Sequence, residues 1–559
     1  VASAKRLMWI LRVQVFVSGA MVMALELLGS RFLIPHFGST LYVWGSLIGV
    51  VLAALSLGYY HGGRIADRRP SFQAFAFIIF SAGVYILFIN TLAPMVFEFA
   101  LSLRMGERFS PLAATVLLLA LPSWLLGMVS PYAIRLGAKT LKEIGSLAGN
   151  LYSLSTAGSI VGTFLTAFVL IPELGVAKTL YGVSIGLMAV STLSLTNRGK
   201  SLAVVVISLA LAMAFTAPVK ASGVVFEGES AYHHIVVMDN NVTGVRTLLL
   251  DNNFHSAMDL REPSRIVYTY TGFFHLGFLF NPEVENVLFI GGGGFSGPKR
   301  FLEDYDWVKV DVVEIDPQVV RVAEEYFGLK PDPRLKVYIQ DGRVYLASSE
   351  KKYDLVVMDT YDKSFIPFHL MTLEFWREME RDLKPQGVVV LNFISSLEGD
   401  ASRILKAELA TMSEVFPEIY LFPLSPGMPS LVQNIIIVAV KAEKNFSQET
   451  LVERAEELHF VRVPIQSYAN HLWEPSFKLE GGRVLTDDKA PVENLLNPLT
   501  GKPLVREEGE ATVLRENAEV PLSTKPVGTP TVLSFLAVGL GILLALEIFL
   551  FGRQRSTAT

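Results

Sequence analysis

The chain has 559 residues, 51% of them hydrophobic and 18% charged, with a net charge of −5 and no cysteine. It is too apolar for one soluble globule, and its charge gives no reason to expect nucleic acid as a partner. Without thiols it has no disulfide, thiolate metal site or cysteine nucleophile.

Apolar stretches recur at 8–28, 42–61, 72–96, 111–131, 147–171, 176–196 and 201–218, with an eighth at 531–551. Most approach the roughly 20 residues that cross a bilayer. The first is not a cleaved signal peptide, because it carries Glu26, runs on to Arg31 and is followed by more spans. The pattern predicts a membrane domain of about seven helices over 1–218 and a C-terminal transmembrane helix at 531–551. The protein is therefore expected to be multi-pass in the cell membrane, with lipid as a partner. Gly45 and Gly49 on the second span have the small-residue spacing of close helix packing, as do Ser155, Gly158, Ser159 and Gly162 on the fifth. Basic residues cluster before span one and after spans two, four, six and the last, for example Lys5, Arg64, Arg135, Arg198 and Arg553. That bias predicts cytoplasmic termini and an extracytoplasmic polar domain.

Residues 219–285 read as a small β-domain and a linking helix. VVFEGES, HHIVVMD and VRTLLLDN are its strands, with turn signals at Asn240, Asn241 and Gly244, and a helical pattern covers 262–280. Over 286–499, β-rich runs (ENVLFI, VKVDVVEI, RLKVYI, YDLVVMD, GVVVLNFI) alternate with helical segments. Such alternation implies βαβ units and a Rossmann-like, doubly wound, mostly parallel sheet. Residues 418–441 supply two more strands, and 500–530 reads as a linker.

Ligands of such sheets bind beyond the carboxyl ends of the strands. Gly291, Gly292, Gly293 and Gly294 follow the first strand there, where glycine lets backbone approach a ligand. Glu314 ends the second strand some twenty residues later, placed to accept from both hydroxyls of a ribose. Asp316 before Pro317 reads as a helix N-cap. Asp341-Gly342 ends the third strand, and the aspartate either accepts from an adenine amino group or serves a turn or cap. Asp359 and Asp362 close the fourth. This order suits an adenosyl cofactor with a base beside it. The nine histidines show no metal-ligand spacing, and His233 and His234 point to opposite faces of a strand.

These residues resemble the spermidine synthase (polyamine aminopropyltransferase) family over roughly 225–495. Ser230, Tyr232 and Ile235 match its S-x-Y-x-x-I pattern, and Leu250, Asp251, Asn252 and His255 loosely match L-D-G-x-x-Q. The Gly loop, V-E-I-D, D-G and D-x-x-D elements follow in order. LELLGSRFLIPHFG (25–38), VWGSLIGVVLAALSLGYYHGGRIADR (43–68), IPFHLMTLEF (366–375) and LTDDKAPVENLL (485–496) resemble its membrane-fused branch. The implied fold class is a multi-span α-helical membrane domain plus a class I methyltransferase-type Rossmann-like sheet preceded by a small β-domain. The resemblance implies decarboxylated S-adenosylmethionine as co-substrate, no metal, a small-molecule amine as acceptor and a homodimer. It implies Asp359 as the base. Asp362, His255, Tyr270 and Tyr361 would bind substrate, and Gly291–Gly293, Glu314, Asp341 and Gly342 would bind the cofactor.

Three positions depart from the family pattern. Its G-G-G-D-G loop has Gly294 and Phe295 at the last two places, Lys363 follows Asp362, and Tyr268-Thr269-Tyr270-Thr271 replaces a Tyr-x-Glu motif. Each change removes or offsets a negative charge that a diamine would meet. Two alternatives therefore stand beside aminopropyl transfer. One is an S-adenosylmethionine-dependent methyltransferase, and the other a non-catalytic polyamine-binding or transport-linked membrane protein.

Overall fold

The computed structural model describes residues 2–38, 40–103, 105–138, 140, 143–194, 223–361, 366–473 and 482–496. The expected spans at 201–218 and 531–551, the linker, and Asp362 with Lys363 lie outside the described residues. The chain divides into two compact units, one formed by the apolar half and the other by the polar half.

In the apolar half, the helices Lys5–Phe37, Leu41–Arg68, Phe72–Ser102, Arg108–Gly137 and Ile144–Ser194 are long and apolar enough to cross a membrane. The last contains the fifth and sixth expected spans. They are separated by Gly175, whose φ of 78° and ψ of 172° break the helix in a conformation that glycine adopts without strain. The first and fifth expected spans touch backbone to backbone. A Cβ at Gly158 would lie 2.0 Å from Phe16 O, and one at Gly162 2.2 Å from Ala20 O. The Ser159 hydroxyl donates to Gly19 O at 3.1 Å. The small-residue spacing on span five thus serves the close packing expected of it. Gly45 and Gly49 do not. Both lie on an exposed face, where an added Cβ meets nothing within 4 Å. On that helix Gly58 and Gly62 make the close approach, to Gly127 and Met128. They lie roughly 220° round the helix from the first pair.

The polar half begins with a four-stranded sheet in the order β1-β2-β3-β4, formed by Val224–Glu229, His234–Asn240, Val245–Leu250 and Asn253–Asp259. β4 extends the three expected strands. It is reached through Asp251 and Asn252, both at positive φ (49° and 64°), as a two-residue hairpin turn requires. The helix expected over 262–280 is shorter. The Asp259 carboxylate accepts from the N–H groups of Arg261 and Glu262 and turns the chain. Pro263 follows, and helical structure begins only with the 3-10 helix Thr269–Leu276.

The second sheet contains β5 (Asn286–Ile290), β6 (Lys309–Glu314), β7 (Leu335–Ile339), β8 (Tyr353–Met358), β9 (Leu383–Ser395), β10 (Glu418–Pro423) and β11 (Gln433–Val440). Its order is β10-β11-β9-β8-β5-β6-β7. β5 to β9 run parallel, β11 runs antiparallel to both its neighbours β9 and β10, and the edge strand β10 therefore points the same way as β5 to β9. Val287 and Phe289 of β5 pack in the core on one face, and Leu288 and Ile290 in the core on the other. Burial on both faces explains why these strands read as continuous apolar runs. The strand order reverses between neighbours β5 and β8, so a ligand crevice is expected beyond their carboxyl ends.

Candidate active site

The crevice is built where the ends of β5 and β8 meet. Gly291 leaves β5 at a φ of 96°, and a Cβ there would lie 2.3 Å from Asp359 O at the end of β8. Its N–H donates to Val313 O of β6 at 2.9 Å, which fixes the loop to both neighbouring strands. Glu314 then holds the loop from the side. Its Oε2 accepts from Gly292 N and Gly293 N at 2.9 and 3.2 Å, and its Oε1 from Asp316 N at 3.0 Å. Gly294 N donates to the Ser256 hydroxyl of β4 at 2.8 Å. A Cβ at Gly294 would lie 2.8 Å from Ser256 Cβ, so an acidic side chain at this place has no room unless β4 shifts. Phe295, fully buried, takes a left-handed conformation with φ 57°.

Asp359 stands on the cavity wall with each carboxylate oxygen held. Oδ1 accepts from Asn392 Nδ2 at 2.9 Å and Oδ2 from the Tyr270 hydroxyl at 3.2 Å. Burial pushes its carboxyl above the usual range, and the two hydrogen bonds partly offset that rise. Burial, and then the Asp359 charge, push the Tyr270 hydroxyl well above its ordinary value. Tyr270 is thus a hydrogen-bond donor at neutral pH.

Five of the expected site residues line one cavity: His255, Tyr270, Gly291, Gly292 and Asp359. Ser256, Tyr268, Arg265 and Arg300 join them there. Gly293 and Glu314 adjoin this wall through the loop hydrogen bonds. Asp316 caps the helix Pro317–Tyr326, as its position before proline implied. Asp341 caps Gly342–Ser348, its Oδ1 accepting from Arg343 N and Val344 N at 2.9 and 3.0 Å, while its Oδ2 accepts from His369 Nε2 at 3.1 Å. The His369 hydrogen bond leads the effects that hold this carboxyl below the usual range, against burial. Tyr361 lines a separate apolar pocket with Ile366, Met371 and Phe393. Its hydroxyl donates to Asn392 O at 3.1 Å. Asn392 was not among the expected site residues. Its only signal is one amide in the otherwise apolar run GVVVLNFI.

The spermine/spermidine synthase domain matches residues 270–450. A polyamine aminopropyltransferase of Vibrio vulnificus (strain CMCP6) is 32% identical over 285 residues, which is 49% of this chain and 92% of that relative. One from Alkaliphilus oremlandii (strain OhILAs) is 28% identical over 204 residues, covering 36% of this chain and 69% of the relative. Among solved structures, spermidine synthase from Thermotoga maritima aligns at 24% identity and a TM-score of 0.34, covering 41% of this chain and 78% of its own.

Proposed function

We propose, since this chain belongs to the polyamine aminopropyltransferase family and is an aminopropyl-transferring enzyme, that its donor is decarboxylated S-adenosylmethionine and its acceptor a primary aliphatic amine such as putrescine. We propose further that it works as a multi-pass membrane protein.

The observation that carries this reading is the Asp359 carboxylate, held by Asn392 and Tyr270 beside the Gly291 turn. An aliphatic amine, with a pKa near about 10.4, is mostly protonated at neutral pH and not nucleophilic. Asp359 accepts the proton as the nitrogen forms a bond to the carbon next to the sulfonium. The C–S bond breaks, its electron pair stays on sulfur, and methylthioadenosine leaves. The donor supplies the sulfonium leaving group, so the residues have only to orient, desolvate and take a proton. Glu314 serves the ribose, with Gly291–Gly293 allowing close approach, and Asp341-Gly342 serves the adenine. His255 and Tyr270 line the acceptor side. Asp362 completes the acceptor side by holding a distal ammonium, whereas Tyr361, which lines the neighbouring apolar pocket, acts through its hydrogen bond to the Asn392 backbone and not on the amine.

The test incubates the purified full chain with each of two donors and a panel of amines. Methylthioadenosine from the decarboxylated donor supports the reading. Adenosylhomocysteine from intact S-adenosylmethionine, without methylthioadenosine, replaces it with methyl transfer.

A further inference from the structure

We infer that Asn392 and Asn434 form a positioning relay that keeps Asp359 ready to accept a proton, an inference that rests on the reading of Asp359 as the base. The relay comes from the antiparallel return of β11 on β9. Their register pairs Asn434 with Ile394 and Asn392 with Ile436, which makes the two asparagines diagonal neighbours on one sheet face. A carboxamide is a donor at one end and an acceptor at the other, so what it offers a neighbour depends on which way it is turned. Asn434 Nδ2 donates to Asn392 Oδ1 at 2.8 Å. That leaves Asn392 Nδ2 to face Asp359 Oδ1, to which it donates at 2.9 Å. Asn392 is 2% exposed, and burying an amide in an apolar strand is costly unless both ends are bonded. The Tyr361 hydroxyl pins the backbone of the same residue.

The direction of the amide decides the chemistry. Turned as it is, Asn392 favours the ionised carboxylate. Turned the other way, its carbonyl would face Asp359 and favour the protonated acid, which is no base. Among the described residues, the other titratable groups facing this cavity are Tyr268 and Tyr270 from the 3-10 segment and its approach, His255 from β4, and Arg265 and Arg300. Arg300 is paired with Asp304 at 2.7 Å and Arg265 with Asp259 at 3.2 Å. Among the described residues, direct side-chain hydrogen bonding to the ionised Asp359 therefore comes from Asn392 and Tyr270.

The test uses Asn434→Asp, which can only accept and so turns the Asn392 amide round, and Asn434→Ala, which frees it. The carboxyl of Asp359 is titrated by infrared difference spectroscopy on the full chain, with Asp359→Asn in each background as the subtraction reference. The relay predicts a rise of about one pH unit or more in Asn434→Asp and a smaller rise in Asn434→Ala. The acid limb of kcat/KM should move the same way, with activity recovered at high pH and the KM for the donor unchanged. Titration at the wild-type value in both variants would overturn the relay, as would a loss of activity equal at every pH. The infrared titration does not depend on turnover. If the wild type makes no methylthioadenosine, that failure belongs to the proposed function, and the relay is still judged by the spectra. Should one variant not fold, the other carries the same comparison.

Discussion

Asp359 combines enclosure with two donors, and both features bear on its reactivity. Burial raises its carboxyl, and only the ionised form can take a proton. Activity should therefore fall, as pH drops, at a pH above the ordinary aspartate range. Asp359→Asn should cost about 10²–10⁴-fold in methylthioadenosine formation, with circular dichroism unchanged. Gly291→Ala places a methyl group 2.3 Å from Asp359 O at a φ of 96°. It should lower kcat by about tenfold or more, because misplacing a reacting group by about 1 Å is enough for such a loss. The Gly loop, Glu314 and Asp359 were legible because each ends an apolar run on the ligand edge of a parallel sheet. Asn392 and Asn434 were not. Their meaning arises only when β11 folds back in a register that sets them diagonal across more than forty residues of chain. The double use of Asp341, as helix cap and as partner of His369, was half legible: the cap follows from Asp-Gly, whereas His369 comes from a different segment.

At the scale of elements, close contacts and buried charge set the limits. On the helix Arg403–Met412, Glu408 is fully buried, with Oε1 accepting from Trp376 Nε1 at 2.9 Å and Oε2 without a partner among the described residues. Burial holds its carboxyl well above the usual value. Its contribution to stability is complete below the ordinary carboxyl range. As pH rises from there toward the raised folded value, it is lost at about 1.4 kcal/mol per pH unit. Glu408→Gln keeps an acceptor for Trp376 and removes that slope. The variant should thus gain in thermal midpoint relative to wild type between pH 5 and pH 8, measured on the full chain. In the apolar half, Gly162→Val drives a side chain into Ala20 O, 2.2 Å from the Cβ position. It should loosen the pairing of the helices Lys5–Phe37 and Ile144–Ser194, read as faster proteolysis in detergent, whereas Gly45→Val should not. The sequence pattern alone could not separate these two glycine pairs. Spacing shows that small residues share a face, but a third helix decides which face is covered. The overlong helix expected at 262–280 has a similar origin, since apolar periodicity gave no weight to the Asp259 turn.

For the whole molecule, the division into an apolar and a polar unit was written in the charge distribution, and the order of sheet elements in the alternation after residue 286. Orientation rests on the basic loops. They predict that a protease site inserted at 500–525 is cut from outside intact cells; cutting only after lysis would reverse the assignment and bring the candidate site to the side where adenosyl donors are made. Gly294, in the Gly loop after β5, is tethered to Ser256, in the four-stranded sheet. The amide hydrogen of Gly294 is therefore a clock for the seating of that sheet. Its exchange with deuterium should proceed at the rate at which β4 lifts away, and Ser256→Ala should set it running faster while leaving the exchange of Ile290 within β5 untouched.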